Sequence, residues 1–482
     1  MSGNAYRTLL AAFLVLVLGQ SQASEILATK LGLVRDPWSV MQVERRIEWG
    51  DTTLGLAELC LEPSWPSMSR QSVARLALCR RSGLEVAWHG WQAAAAREGQ
   101  AYGRYLPTVR LTGSEQLRST SSIDAGQGRP NLVVPGESEI TRRSDISAEW
   151  TLLTFGARSA ALDRLRHQTE AARLEYDNQV DSVLLEAFTA FENLLGAQQV
   201  ARLQQESLGK AQDSVTLATT RFSHNVGSLA DVKSAEVVLL RARIELERTQ
   251  AEIAQRRFEL AAALSLTNGE LDRVALVDTD GGSGPVEVGD FLSQLPQHKE
   301  LQAAQAASTA ARLQVTAVAR EANPIVSAVV SYGNLSSQRR DLGTPAIDRR
   351  EMTIGVQVNL PLFSGFSGYY KLREAQSQVD YQLGQTEVVR NRLQANGLQN
   401  QQALQLEQMQ LESWSRIVEL SQFNMSATRQ RYLRGISDIS FVLSAEREAA
   451  AALTEQSRAQ TRFQVAKWKH MRDMGSIRAR IR

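Results

Sequence analysis

The stretch Glu351-Met-Thr-Ile-Gly-Val-Gln-Val-Asn-Leu-Pro361 decides the fold. Met352, Ile354, Val356, Val358 and Leu360 alternate with Glu351, Thr353, Gly355, Gln357 and Asn359. Successive side chains of a β-strand point to opposite faces, so one face is apolar and the other polar. At about ten residues, apolar outward and polar inward, this is the pattern of a barrel strand around a wet lumen. Asp145 to Leu153 repeats it: Ile146, Ala148, Trp150 and Leu152 face one way, and Asp145, Ser147, Glu149 and Thr151 the other. The competing reading is a half-buried sheet in a soluble domain.

The partner segments, Pro107 to Arg118 and Ile325 to Leu335, alternate less cleanly. Strands are therefore expected at 107–118 and 140–153, and again at 325–335 and 351–362. Ser119 to Ser138 and Ser336 to Arg350 are rich in Ser, Gly, Arg and Asp and are expected to be loops outside the cell. Four strands cannot close a barrel, since about eight are needed. An open sheet edge does not survive in lipid. Several chains must then share one barrel, and three would supply about twelve strands. The number three is not encoded in the pattern.

Each hairpin belongs to a larger unit that occurs twice, with a period near 210 residues. Val232-Lys-Ser-Ala-Glu236 is echoed by Val442-Leu-Ser-Ala-Glu446, and Arg221-Phe222 by Arg431-Tyr432. Leu153-Thr-Phe-Gly156 is loosely echoed by Leu362-Phe-Ser-Gly365, and Tyr105-Leu-Pro107 by Ala322-Asn-Pro324. The copies are expected at 70–268 and 290–475, each running helix, strand, loop, strand, long helices. Residues 269–289, including Gly281-Gly-Ser-Gly-Pro285, are expected to link them. Residues 476–482 form a basic tail.

Taking every seventh residue from Val180 gives Ala187, Leu194, Ala201, Leu208, Val215 and Phe222, all apolar. The second copy gives Leu404, Leu411, Val418, Met425 and Tyr432, and the returning helix gives Val232, Leu239, Leu246, Ile253 and Leu260. A sustained seven-residue repeat means helices that supercoil around neighbours. Arg158 to Phe222 holds no proline, only Gly196 and Gly209, and would run on the order of 100 Å at 1.5 Å per residue. Such helices build rods or the wall of a tube, not a compact enzyme core.

Composition agrees. The chain has 482 residues with 54 Lys+Arg against 52 Asp+Glu. That balance argues against a nucleic-acid binder, which carries a clustered basic excess. Residues 1–23 resemble a signal peptide: Arg7 is the basic region, Leu9 to Leu18 the apolar run, and Ser21-Gln-Ala23 the cleavage site. A retained anchor is the alternative. Residues 24–69 are then an N-terminal periplasmic extension. In an oxidising compartment Cys60 and Cys79 are expected to pair, contributing on the order of 3 kcal/mol, against the alternative of two buried thiols. The histidines are scattered, no spacing suits a metal, no cofactor motif occurs and no catalytic arrangement has local support. Energy for any transport must come from partners.

Several motifs now fall into order: the Ala-Leu-Cys79 helix start, Tyr-Leu-Pro107, Trp150-Thr-Leu-Leu-Thr-Phe-Gly156, Asn359-Leu-Pro-Leu-Phe-Ser-Gly365, and the two Arg-aromatic turns. On this ordered, duplicated set the chain resembles the TolC family of outer-membrane factors across nearly its whole mature length. The cysteine region and the extension are similar to outer-membrane components of type I secretion systems, of the kind that exports cyclolysin. The resemblance implies an α+β membrane protein. It would be a homotrimer with a twelve-stranded transmembrane β-barrel continuing into a long periplasmic α-helical barrel, built from two tandem repeats. A mixed equatorial region would lie near 268–300 and the C-terminus. Pro107, Gly156, Pro324, Pro361 and Gly365 would be strand–helix hinges.

The resemblance also places function at the turns Arg221 to Val232 and Arg431 to Val442. They would narrow the tube at its periplasmic end and meet an adaptor, with Asn225, Gly227 and Gly435 shaping the adaptor-binding tips. The family's inward aspartates match Phe441 and Ser444, and its locking basic residue matches Ser437. Tyr432 keeps the gating tyrosine, and Asp231 matches an aspartate of the first turn. The periplasmic gate is therefore expected at Tyr432, Asp438, Phe441, Ser444 and Asp231, with Phe441 as an apolar constriction. The implied partners are a periplasmic adaptor (membrane fusion protein), an inner-membrane ABC transporter or other pump, the exported substrate and outer-membrane lipid. Three functions compete: an exit duct for protein secretion, an exit duct for drug efflux, and a periplasmic coiled-coil adaptor.

Overall fold

The computed structural model of the chain describes residues 46–49, 52–55, 67–124, 132–267, 275–276, 289–339 and 347–478. The expected signal peptide, Cys60, most of the N-terminal extension and the Gly281–Pro285 link lie outside them. Two short strands, β1 (Arg46–Trp49) and β2 (Thr52–Gly55), pair antiparallel, and β3 (Ser67–Met68) pairs parallel with β6 (Ala275–Leu276). The remaining elements run in two series. The first is α1 (Arg70–Arg80), α2 (Ser82–Gly103), β4 (Thr108–Asp124), β5 (Leu132–Leu153), α3 (Ala157–Ser223) and α4 (Leu229–Leu264). The second is α5 (Phe291–Gln294), a 3₁₀ turn (Leu295–Gln297), α6 (Lys299–Arg320), β7 (Ile325–Arg339), β8 (Ile347–Asn359), α7 (Ser367–Leu433) and α8 (Ile439–Asp473). The long helices α3 and α7 are each 67 residues. Among the described residues, no helix is long and apolar enough to cross a membrane.

The chain divides into two compact units. One, within 92–166 and 316–371, holds a four-stranded antiparallel sheet in the order β4-β5-β7-β8. Its register stacks side chains in rows. Val109, Ala148, Val330 and Ile354 share a row, and Leu111, Ile146, Tyr332 and Met352 the next. The next row on that face is Gly113, Ser144, Asn334 and Arg350, so the apolar band stops there. The other face is polar, with Arg110, Ser147, Ser331 and Thr353 in one row and Thr112, Asp145, Gly333 and Glu351 in another. Val109, Leu111, Met352, Ile354, Val356 and Val358 are all exposed on the single chain.

The strands outrun the sequence reading. β4 is 17 residues and β5 is 22, so the expected loop Ser119 to Ser138 is largely strand; β8 begins at Ile347 rather than 351 and stops at Asn359. Alternation marked only where the apolar band lies, whereas backbone pairing continues through polar rows because ladder hydrogen bonds need no apolar side chain. A second correction concerns Leu152. The register shifts between Thr151 and Leu153, and Leu153 is the residue opposite Val326. The extra residue of a β-bulge moves the apolar row from Leu152 to Leu153.

The second unit, within 44–91, 167–315 and 372–482, is helical. Its core lies on α3 at Val180, Val183, Leu184, Ala187, Phe188, Phe191 and Leu194, all nearly fully buried. Phe188 stacks on Trp468 of α8 at 4.3 Å. The helical stretch that opens the first copy is broken at Arg81, whose extended backbone separates α1 from α2. Arg70 donates to Glu192 at 2.7 Å, and Trp468 Nε1 donates to the same carboxylate at 3.2 Å. Arg478, near the C-terminus, pairs with Asp181 at 2.6 Å and Asp177 at 3.2 Å, and Lys299 reaches Asp181 at 3.1 Å. These buried ions are partnered, without which their desolvation would be costly.

The heptad series behaves differently on the two long helices. On α7, Leu404, Val418 and Tyr432 stay buried along the line. On α3, Val180, Ala187 and Leu194 are buried but Phe222 at the end is 43% exposed. There the buried line has moved to Ala211, Ser214 and Ala218. A helix with 3.6 residues per turn drifts about 20° per heptad against a strict seven-residue repeat.

Two predictions follow from this core. A Cβ on Gly397 of α7 would overlap the Phe291 ring. Gly397→Ala should therefore destabilise the helical unit by about 1–3 kcal/mol, read as a lower Tm by circular dichroism in detergent. His470 is 1% exposed, and neither ring nitrogen has a hydrogen-bond partner among the described residues. Burial pushes its pKa below the usual value, with Asp473 pulling partly back. The unfolded chain then binds the proton more readily, so the contribution of His470 is present above about pH 6.5 and lost as pH falls below it. Tm should fall on acidification from pH 7.5 to 5.5, and His470→Leu should flatten that slope; an unchanged slope would refute the assignment.

Candidate functional site

The two helix–helix turns close in the same way. After α3, Asn225 N–H donates to Phe222 O at 3.0 Å and Val226 N–H to Arg221 O at 2.9 Å. After α7, Gly435 N–H donates to Tyr432 O at 2.9 Å and Ile436 N–H to Arg431 O at 3.0 Å. This paired closure satisfies the last helical carbonyls and requires a left-handed residue. Asn225 has φ 58° and Gly435 φ 74°. Asn is the side chain that tolerates this geometry best after Gly. Gly227 is not left-handed; a Cβ there would come within 3.2 Å of Arg221 Cβ, so its smallness serves a close approach.

The returning helices start on side-chain caps. Ser228 Oγ accepts from Ala230 N–H at 3.0 Å, while Ser228 N–H donates to Asp231 Oδ2 at 3.1 Å, a capping box. Asp438 caps α8 by accepting from Ser440 N–H at 3.0 Å. Both aspartates expected at the gate are thus engaged in local caps.

Between the hairpins lies a small core of Ala218, Val232, Ala235, Tyr432, Ile439, Val442 and Leu443. Tyr432 is 3% exposed. The Arg221 guanidinium sits 4.6 Å from its ring centroid and donates to Tyr432 O at 3.0 Å. This cation–π contact and hydrogen bond tie the end of α3 to the end of α7. The Tyr432 hydroxyl is buried with no hydrogen-bond partner among the described residues. Burial pushes its pKa up, Arg221 offsets this, and Asp231 and Asp438 add to it. Phe441 is 64% exposed and Ser444 is exposed beside it, three residues on along the same face of α8. The expected gate set therefore separates: Tyr432 belongs to the core between hairpins, and Phe441 and Ser444 to an open face.

The hinge residues lie in the sheet unit. Phe155 and Gly156 have φ 48° and 87°; Gly365 and Phe366 have φ 62° and 64°. Both strand-to-helix corners use two consecutive left-handed residues, with Gly and Phe in opposite order. Arg158 Nη1 donates to Arg104 O at 3.0 Å and Thr151 O at 2.8 Å, and Arg320 Nη1 to Gly156 O at 3.0 Å. Pro107 and Pro324 immediately precede β4 and β7, and Pro361 follows β8. Cys79 lies on α1 and is not free; Cys60, its expected partner, is outside the described residues. No group of metal-ligating side chains occurs among the described residues. Sequence reasoning named Arg221 and Glu446 only as parts of repeated motifs and gave Ser214 and Arg158 no role. The Ser-x-x-Asp spacing of the capping box was a readable signal for Asp231.

The family model described as outer membrane efflux protein matches residues 73–265 and 293–468. Protein CyaE of Bordetella pertussis is 29% identical over 315 residues, 64% of this chain and 63% of that protein. The outer membrane efflux protein BepC of Brucella suis is 22% identical over 226 residues, 47% of this chain. The chain thus spans 63% of the first relative's length and 48% of the second's. The solved structure of the outer-membrane channel OprN superposes with a TM-score of 0.72 at 20% identity, covering 92% of this chain and 98% of that one. That likeness concerns the fold.

Tyr432 gives a test of the tip. Tyr432→Ala should cost about 3–5 kcal/mol by leaving a cavity between the hairpins. Tyr432→Phe, which removes only an unsatisfied hydroxyl, should be neutral or stabilising by up to about 1 kcal/mol. Chemical denaturation followed at the helical signal separates them. A Tyr432→Phe cost larger than the gain expected here would mean that the hydroxyl has a partner on another chain.

Proposed function

Because the chain belongs to the outer membrane efflux protein family, we propose that it is one protomer of a trimeric exit duct that carries substrate out across the outer membrane. The observation that carries this reading is the four-stranded sheet whose edges, β4 and β8, pair with no further strand among the described residues, and which carries an exposed apolar band on one face. Three copies joined edge to edge give a barrel of about twelve strands, with the band toward lipid and the charged rows toward water. Exposed apolar residues on the helices support the same assembly. Leu406, Met409, Ile417, Leu420 and Phe423 on α7, and Val237, Leu240 and Ile244 on α4, lie at helical spacing and are exposed on the single chain. The matching of one family model to two stretches supports a duplicated unit.

The helices then form a periplasmic tube, narrowed at the two turns. Phe441 of three copies converges as an apolar ring that gates by dewetting, and the tips around Asn225, Gly227 and Gly435 meet a periplasmic adaptor. An inner-membrane ABC transporter or other pump supplies the energy. The resemblance to type I secretion components favours a polypeptide cargo. The alternative, small-molecule efflux, is favoured by the name borne by BepC and by the family.

The duct predicts a trimer that resists mild heating in detergent after extraction from the outer membrane, and that forms ion-conducting pores in planar bilayers. A soluble monomer without pores would sink the barrel. Phe441→Ser should raise single-channel conductance; if conductance stays at the wild-type value, Phe441 is not the constriction.

A further inference from the structure

The two copies of the Val-x-Ser-Ala-Glu motif treat their glutamates differently. In the first, Glu236 is half-exposed and pairs with Lys233 at 2.8 Å, three residues back on the same helix. In the second, Leu443 stands where Lys233 stands, and Glu446 is 8% exposed. Glu446 Oε2 accepts from Ser214 Oγ of α3 at 2.8 Å. Its other oxygen, Oε1, is buried with no hydrogen bond among the described residues, and Arg429 of α7 stands 3.8 Å from it. A carboxyl carried by α8 thus meets α3 and α7 about two turns from the cap at Asp438, beside the core around Tyr432.

We propose that Glu446 is a proton-operated clasp between the two helix hairpins, holding α8 against α3 when protonated and releasing it when ionised. The inference rests on the reading of these hairpin tips as the aperture of a duct. Its physical basis is that a buried carboxylate with one unsatisfied oxygen is costly, whereas the neutral acid keeps the Ser214 contact at little cost.

The charged surroundings leave that balance poised. Lys210 and Asp213 of α3 and Arg429 of α7 act on the carboxyl directly. Arg241 and Glu245 of α4 and Arg447 and Glu455 of α8 line the adjoining cavity of about 410 Å³, together with Glu446 itself. Burial is the largest influence and pushes the Glu446 pKa up; Ser214, Arg429 and Lys210 pull it down, and Asp213 pushes with burial. The packed state therefore binds this proton more tightly than a loosened state does. By linkage, acid favours packing, and packing is lost as pH rises through the raised value. The loosened hairpin should widen the aperture.

The test is single-channel conductance of the purified wild-type protein between pH 4.5 and 8, beside Glu446→Gln and Ser214→Ala. Wild type should show a conductance step that rises with pH, with its midpoint above the ordinary carboxylate range. Glu446→Gln, permanently neutral, should lose the step and stay at the low-pH conductance. Ser214→Ala removes a hydrogen bond that favours ionisation, so its step should shift to higher pH. This second variant keeps the clasp testable if Glu446→Gln fails to assemble. A step that survives in Glu446→Gln, a Ser214→Ala step at the wild-type pH, or a pore whose wild-type conductance shows no step would overturn the clasp while leaving the duct standing. Absence of pores at every pH would overturn both.

Discussion

The unpaired edges of β4 and β8 set the terms for everything else in the molecule. A 13-residue edge strand presents about half of its N–H and C=O groups away from its one partner. In hydrocarbon each unsatisfied group costs several kcal/mol, which exceeds the effect of any single side chain in the sheet. No other described strand pairs with either edge. On the proposed duct, closure comes from further copies, and the exposed apolar residues of α4 and α7 are what such copies would cover. The bulge at Leu152 and the paired left-handed residues at Phe155–Gly156 and Gly365–Phe366 are subordinate features. They turn a strand inside that sheet into the first turn of a helix, with Arg158 and Arg320 holding the corner carbonyls.

At the opposite end of the long helices, local and long-range demands compete for the same polar groups. A helix start leaves backbone N–H groups without partners, and the nearest carboxylates satisfy them first. Asp231 and Asp438 are used in this way. The work of joining one hairpin to the other then falls to groups further from the turns: Arg221 on the Tyr432 ring and carbonyl, and Ser214 on Glu446. The tip is consequently built of rigid turns connected by a few contacts, most of them apolar and small.

Much of this was legible in the residues. The apolar alternation of Met352 to Leu360 located β8, and the absence of proline from Arg158 to Phe222 located α3. The strand ends were not legible, because the ladder runs on through rows such as Gly113, Ser144, Asn334 and Arg350, where no hydrophobic signal exists. The seven-residue series was legible, yet its meaning differed between helices, since period alone does not say whether a helix will supercoil to keep it inward or drift away from it. The gate residues were carried over by position. Position ignores that Tyr432 of α7 packs inward with Val232 and Val442, and that the 100° step from Val442 to its neighbour Phe441 on α8 turns Phe441 outward.

The duplication makes the remaining differences between copies informative. Two equivalent hairpins per chain would give a ring in which every helix pair has the same stability, and no part of it would yield before another. The two copies are not equivalent. The first exposes its glutamate to a lysine on its own helix, so that side chain is paired locally. The second replaces that lysine with Leu443 and buries the glutamate, whose side chain accepts its hydrogen bond, among the described residues, from Ser214 of α3. The α7 line of Leu404, Val418 and Tyr432 stays inward to the tip, whereas the α3 line has rotated out by Phe222. The two hairpins are thus joined through Glu446 of the second copy, whereas the matching Glu236 of the first pairs on its own helix.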